Sequence, residues 1–127
     1  MNLRRTMLQL YVREADKALE FYKRAFDAKE QGGIYRNEDD GKIDHCEISV
    51  YGQSIALSES RHNESCHGNI MQFCLHFKED NEAAIHKIYE VLKEGALLHK
   101  PPHDRGYSKC GFDLIDKFGV NWCVYTC

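Results

Sequence analysis

Asp116-Lys117-Phe118-Gly119-Val120-Asn121-Trp122 decides how this chain folds. To its left runs Cys110-Gly111-Phe112-Asp113-Leu114-Ile115. To its right runs Val120-Asn121-Trp122-Cys123-Val124-Tyr125. Both flanks are rich in the apolar, β-branched and aromatic residues that suit a pleated, half-buried surface. Between them, Asp and Gly supply the chemistry of a sharp turn. The stretch predicts two antiparallel strands joined by a hairpin.

Working back toward the N-terminus, the same grammar recurs. Thr6 to Val12 predicts a strand. From Glu14 to Phe26 the apolar positions Ala18, Leu19, Tyr22, Ala25 and Phe26 recur at helical spacing. Glu14, Asp16 and Glu20 lie toward the start of that helix and Lys23 and Arg24 toward its end, which suits the helix dipole. Gly32-Gly33 and Asn37 to Gly41 are turn chemistry, with Ile34-Tyr35-Arg36 a short strand between them. Ile43 to Tyr51 alternates, with Cys46, Ile48 and Val50 facing one way and His45, Glu47, Ser49 and Tyr51 the other. Gly52-Gln53 turns the chain into the strand Ser54 to Ser58.

Ser60 to Asn69 is polar and aperiodic, and is expected to link two halves. The pattern then restarts. Ile70 to Phe77 predicts a strand, with Gln72, Cys74 and His76 opposite Met71, Phe73, Leu75 and Phe77. Asn81 to Glu94 predicts a helix with the apolar face Ala84, Ile85, Ile88, Val91 and Leu92, capped by Gly95. Ala96 to His99 is a short strand, and Pro101 to Gly106 a loop. Leu10-Tyr11-Val12-Arg13-Glu14 aligns with Leu75-His76-Phe77-Lys78-Glu79, and the apolar positions of the two helices follow in step. An internal repeat of strand, helix and three strands is the simplest explanation.

The totals limit the function. A chain of 127 residues suits one domain, here module one at about 1–60, a linker at about 60–69 and module two at about 70–127. A net charge of −3 gives no footprint for nucleic acid or an anionic membrane. No apolar run approaches the roughly 18 residues of a membrane helix. The N-terminal stretch lacks the apolar core of a signal peptide. Its six cysteines contain no C-x-x-C, so reduced thiols and a cytoplasmic location are expected.

D-x-F-G-x-x-W before a final strand resembles the closing signature of the PhnB-like branch of the vicinal oxygen chelate superfamily. That superfamily includes glyoxalase I, bleomycin-resistance proteins and extradiol dioxygenases. Leu19-Glu20-Phe21-Tyr22 before Phe26-Asp27-Ala28 is similar to its first-helix signature. Ile43-Asp44-His45-Cys46-Glu47-Ile48 and Ile55-Ala56-Leu57-Ser58-Glu59 are similar to its strand pair. The resemblance implies an α+β fold of two tandem strand-helix-strand-strand-strand modules. Their curved, antiparallel-rich sheets would carry the helices outside and face a shared cavity.

Under that resemblance, strand parity puts Met7, Gln9, Tyr11, His45, Glu47, Ser49, Ala56, Ser58, Gln72, Cys74 and His76 on the cavity side. Asn121, Cys123 and Tyr125 share one face of the last strand. Of these, Met7, Gln9, His45, Glu47, Gln72, Cys74, His76 and Cys123 are the expected ligand-binding residues. Metal-dependent members use four inward His or Glu ligands, which align here with Met7, Ala56 (or Ser58), Gln72 and Cys123. None is a His or a carboxylate, and such donors serve a divalent ion poorly. No metal and no cofactor are therefore expected.

Other chemistry stays open at this point. His45, Glu47 and His76 could make a different metal site. Cys74, His76 and a Cys123 on a facing strand could support nucleophilic chemistry if a thiol were activated. His62, Cys66 and His67 cluster in the linker without a fourth zinc ligand. His99 and His103 flank Pro101-Pro102 as loop residues near the cavity mouth. The expectation is a binder of an unidentified small molecule; the alternative is a metal-dependent enzyme with non-standard ligands. A homodimer is expected, because two four-stranded sheets leave unpaired edges.

Overall fold

The computed structural model describes residues 2–61 and 71–127. The chain divides between residues 63 and 64 into two compact units. Each holds one helix and one four-stranded sheet. The strand orders are β1-β4-β3-β2 and β5-β8-β7-β6, so the second unit repeats the topology of the first.

The first unit runs β1 (Leu8–Val12), α1 (Ala15–Phe26), β2 (Lys29–Arg36), β3 (Ile43–Val50) and β4 (Gln53–Glu59). β1 pairs parallel with β4, and the other pairs are antiparallel. The helix forms where the apolar spacing predicts it and buries Ala15, Ala18, Leu19, Phe21, Tyr22, Ala25 and Phe26. Leu10, Val12, Ile48, Val50, Ile55 and Leu57 are buried on the sheet face against which α1 packs. Glu14 and Asp27 bracket the helix in left-handed conformation. Asp27 ends it through the bond that the Ala28 N–H donates to the Lys23 carbonyl.

The second unit runs β5 (Phe73–Phe77), α2 (Glu82–Leu92), β6 (Leu98–His99), β7 (Gly111–Ile115) and β8 (Asn121–Thr126). β5 pairs parallel with β8, again with antiparallel partners elsewhere. Ile85, Ile88, Tyr89 and Leu92 of α2 are buried with Leu75, Phe112, Leu114, Trp122 and Val124. Ala84 and Val91, expected on that face, are only half-buried. A single turn of 3-10 helix, Glu79–Asn81, precedes α2. Gly95 is left-handed, but it stands in the turn beyond the helix, whose capping position is Lys93.

The hairpin that opened the sequence reading closes around one side chain. Asp116 is fully buried. Its Oδ1 accepts the Phe118 N–H at 2.8 Å and the Val120 N–H at 3.0 Å. Its Oδ2 accepts the Trp122 indole N–H at 2.8 Å. Gly119 takes φ 88°, where a side chain would be strained. Asp, Gly and Trp of D-x-F-G-x-x-W are thus one hydrogen-bonded unit.

Other sequence expectations need correction as well. β2 begins at Lys29, not at Ile34. Gly32-Gly33 does not end the strand. Gly32 is left-handed inside it, and the β2–β3 register shifts between Gln31 and Tyr35. This is a bulge, which glycine accommodates as readily as a turn. The β3–β4 turn is centred on Tyr51-Gly52, one residue earlier than expected, with both residues at positive φ as a two-residue hairpin demands. Cys123 is not on a strand facing Cys74 but in register beside it in the same sheet. The linker histidines His62 and His67, with Cys66, lie outside the described residues, as does most of the expected linker.

Candidate functional site

Each sheet has one face covered by its helix and one face free of it. The free faces carry the polar side chains, and the pairing register builds a matching row on each. In the first sheet Gln9, Ala56, Glu47 and Gln31 lie side by side on β1, β4, β3 and β2. In the second, Cys74, Cys123 and Asp113 lie side by side on β5, β8 and β7. Glu47 and Asp113 therefore occupy equivalent positions in the two repeats.

On the first face Glu47 is held twice. Arg5, ahead of β1, reaches it at 3.1 Å and also donates to Ser54 Oγ at 3.3 Å. His45 Nε2 stands 3.1 Å from Glu47 Oε2. The bond to His45 first, and then Arg5, hold the Glu47 carboxyl below the ordinary carboxylate range. Gln9 Nε2 donates to Ser58 Oγ at 3.0 Å. Met7, just before β1, is half-buried, and Ala56 is fully buried.

On the second face Gln72 Nε2 donates to Asp113 Oδ1 at 2.8 Å, Asn121 Oδ1 at 3.2 Å and the Trp122 carbonyl at 3.3 Å. Arg105, from the loop between β6 and β7, bonds to Asp113 Oδ2 and lies 3.8 Å from Cys123 Sγ. Burial, with the Asp113 charge second, pushes the Cys123 thiol up to about 12. It is a protonated, unreactive thiol near neutral pH. The Cys74 side chain is exposed. His76 stacks on Tyr125 with centroids 4.9 Å apart, and Tyr107 meets Tyr125 edge-on at 5.8 Å.

The expected site residues therefore fall into two groups. Met7, Gln9, His45 and Glu47 belong to the first unit; Gln72, Cys74, His76 and Cys123 belong to the second. Within each unit the expected residues lie on or beside the helix-free side of the sheet. Among the described residues no three His, Cys, Asp or Glu side chains gather as a metal cluster. His99 is not a loop residue: it closes β6 and bonds through Nδ1 to the Tyr89 hydroxyl at 2.8 Å. His103 bridges to Gly111 and bonds to the Pro101 carbonyl.

Sequence reasoning missed Arg5, Arg105 and Asp113. Asp113 was discoverable, because it alternates with Phe112 and Leu114. Arg5 and Arg105 lie outside any strand, where no periodicity points a side chain anywhere.

A family model described as Glyoxalase/Bleomycin resistance protein/Dioxygenase superfamily matches residues 4–124. The PhnB protein from Bacillus cereus has a similar structure, with TM-score 0.77, 22% identity, and 99% of this chain and 100% of that one covered. The protein PA1353 from Pseudomonas aeruginosa aligns at TM-score 0.76 and 16% identity, covering 98% of each chain. A variant of the fosfomycin resistance protein FosX from Listeria monocytogenes, complexed with Mn(II) and a dihydroxypropylphosphonic acid, aligns at TM-score 0.71 and 14% identity. That alignment covers 98% of this chain and 93% of the other. No curated protein sequence matches the chain.

Proposed function

We propose, from the premise that this chain belongs to the Glyoxalase/Bleomycin resistance protein/Dioxygenase superfamily, that it is a PhnB-like protein that binds a small molecule without a glyoxalase-type metal centre. One observation carries this reading: the donor chemistry at the aligned ligand positions. Met7 offers a thioether, Ala56 nothing, Gln72 a neutral amide and Cys123 a thiol held protonated. Hard and borderline divalent ions take carboxylate, imidazole or thiolate. These residues do not fit the metal, and no step of a metal-assisted reaction is assigned to them.

Binding needs less. A small-molecule site takes apolar and aromatic walls with a few placed polar groups. Met7, Gln9, His45 and Glu47 supply these on one sheet, and Gln72, Cys74, His76 and Cys123 on the other. We place the protein in the cytoplasm as a homodimer, with neither nucleic acid nor membrane as partner. Free thiols at all five described cysteines support the location. Among the described residues no helix is long and apolar enough to cross a membrane.

The alternative, a metal-dependent enzyme with non-standard ligands, has one observation in its favour. His45 and Glu47 already stand together, and His76 would be the third donor. Against it, Glu47 is already engaged by Arg5. An assay with the hemithioacetal of methylglyoxal and glutathione, in the presence of Ni(II), Zn(II) or Mn(II), tests the choice. That reaction needs a metal to stabilise the enediolate. We expect no turnover; robust metal-dependent turnover by the purified protein refutes the binding reading.

A further inference from the structure

We propose that Arg105, with Tyr107 and the stacked pair Tyr125 and His76 beside it, forms a site for a small aromatic carboxylate on the helix-free face of the second sheet. This names the ligand class of the small-molecule reading above and rests on that reading.

Arg105 keeps unspent hydrogen-bond donors. A guanidinium has five N–H donors. In Arg105 one nitrogen donates to Asp113 and another points at Cys123 Sγ, a weak acceptor. The side chain is only 19% exposed, and its remaining donors have no partner among the described residues. A largely buried cation gains most from an acceptor that brings charge and geometry together. A carboxylate does so through paired bonds to the guanidinium fork. Asp113 holds the fork in place and compensates its charge while the site is empty. Gln72 in turn fixes Asp113 from the other side.

The fold makes room for this arginine deliberately. A Cβ on Gly111 would stand 2.8 Å from Tyr125 Cβ and 3.1 Å from Arg105 Cδ. The absence of a side chain at Gly111 therefore lets the Arg105 stem lie on the sheet beside Tyr125. Arg105 N–H bonding to the Ser108 carbonyl at 2.8 Å, and left-handed Gly106, shape the loop that brings it there.

The aromatic part follows from what surrounds the cation. The Arg105 guanidinium lies 5.5 Å from the Tyr107 ring centroid. Tyr107 abuts Tyr125, and Tyr125 carries His76 at an interplanar angle of 14°. Tyr107 is 61% exposed, and His76 is exposed as well. Open ring faces next to a cation with free donors suit a flat apolar group bearing a carboxylate.

Calorimetric titration with benzoate, acetate and benzyl alcohol tests the proposal. Benzoate carries both features, and the other two carry one each. We expect benzoate to bind the wild-type protein at least tenfold more tightly than either control. Arg105→Gln and Arg105→Lys should each weaken benzoate about tenfold or more. Asp113→Asn should tighten it, because the competing carboxylate charge is gone. Tyr107→Ala, at an exposed position, should weaken benzoate and leave acetate unchanged. A purely structural Arg105 predicts no tightening by Asp113→Asn and no selectivity for benzoate, and either result overturns the proposal. So does benzoate binding that survives Arg105→Gln in protein with native near-UV dichroism. If benzoate fails to bind but a small molecule is released from the purified protein on denaturation, the ligand class is wrong and the binding reading stands. If neither is found, both fall.

Discussion

Asp116 illustrates how much one side chain can specify. It carries no apolar surface worth burying, yet it is fully buried, because three donors converge on its two oxygens. Removing it takes this partner from two part-buried backbone N–H groups and from the buried Trp122 indole. Each buried donor left unpaired costs about 1–3 kcal/mol. We predict that Asp116→Ala lowers stability by about 3 kcal/mol or more in urea unfolding and collapses the near-UV signal of Trp122. A loss under 1 kcal/mol would mean that the turn does not depend on this carboxylate. The sequence showed the turn, because Asp and Gly announce it. It did not show the indole contact, because a side chain's partner six positions away leaves no periodic trace.

Cys123 ties the stability of the fold to pH. Its folded pKa lies above the ordinary thiol value of 9.0, at about 12. Between these values the unfolded chain loses the Cys123 proton and the folded chain keeps it. Its contribution is therefore fully present below about pH 9 and lost as pH rises toward 12. We expect the urea midpoint of the wild-type protein to fall more between pH 8 and pH 10.5 than that of Cys123→Ala. Iodoacetamide at pH 8 should modify exposed Cys74 and Cys127 well before Cys123. Equal pH slopes, or early labelling of Cys123, would contradict the assignment.

Among the elements, α1 owes its start to a strand that follows it. Its capping residue Glu14 is left-handed and provides no side-chain cap. Instead Glu59, at the end of β4, accepts the Glu14 N–H at 2.9 Å and the Ala15 N–H at 3.0 Å. A carboxylate at a helix start also meets the favourable end of the dipole. The acid that follows Ser58 in the sequence signature is thus a cap supplied across the sheet. We predict that Glu59→Ala costs about 1–2 kcal/mol and speeds amide exchange in the first turn of α1. Exchange accelerated only elsewhere in the chain would refute this role. The helices themselves were legible because their apolar faces repeat, and the strands because they alternate. β2 was half hidden: Gly32-Gly33 is as natural in a turn as in a bulge, and only pairing with β3 tells them apart.

At the scale of the molecule, each sheet ends in strands with no further partner among the described residues: β1 and β2 in one, β5 and β6 in the other. Tyr11 on the edge strand β1 is 68% exposed. Pairing or covering such edges is the ordinary remedy. We expect light scattering coupled to gel filtration to report a homodimer of the 14.8 kDa chain at tens of micromolar protein. A mass of one chain under those conditions contradicts the dimer. The tandem repeat was legible in the sequence because two helices and their preceding strands align. The carboxylate–arginine pairs were not, because their arginines come from irregular segments.

The central claim is that superfamily membership here does not bring a glyoxalase-type metal centre. The most direct measurement is metal content by elemental analysis of protein purified from cells supplied with Mn(II), Zn(II) and Ni(II), without chelators. The donor chemistry of Met7, Ala56, Gln72 and Cys123 predicts well under one equivalent of any divalent metal. About one equivalent of any single divalent metal per chain would contradict it, and loss of that metal on changing His45, Glu47 or His76 would point to those residues as its ligands.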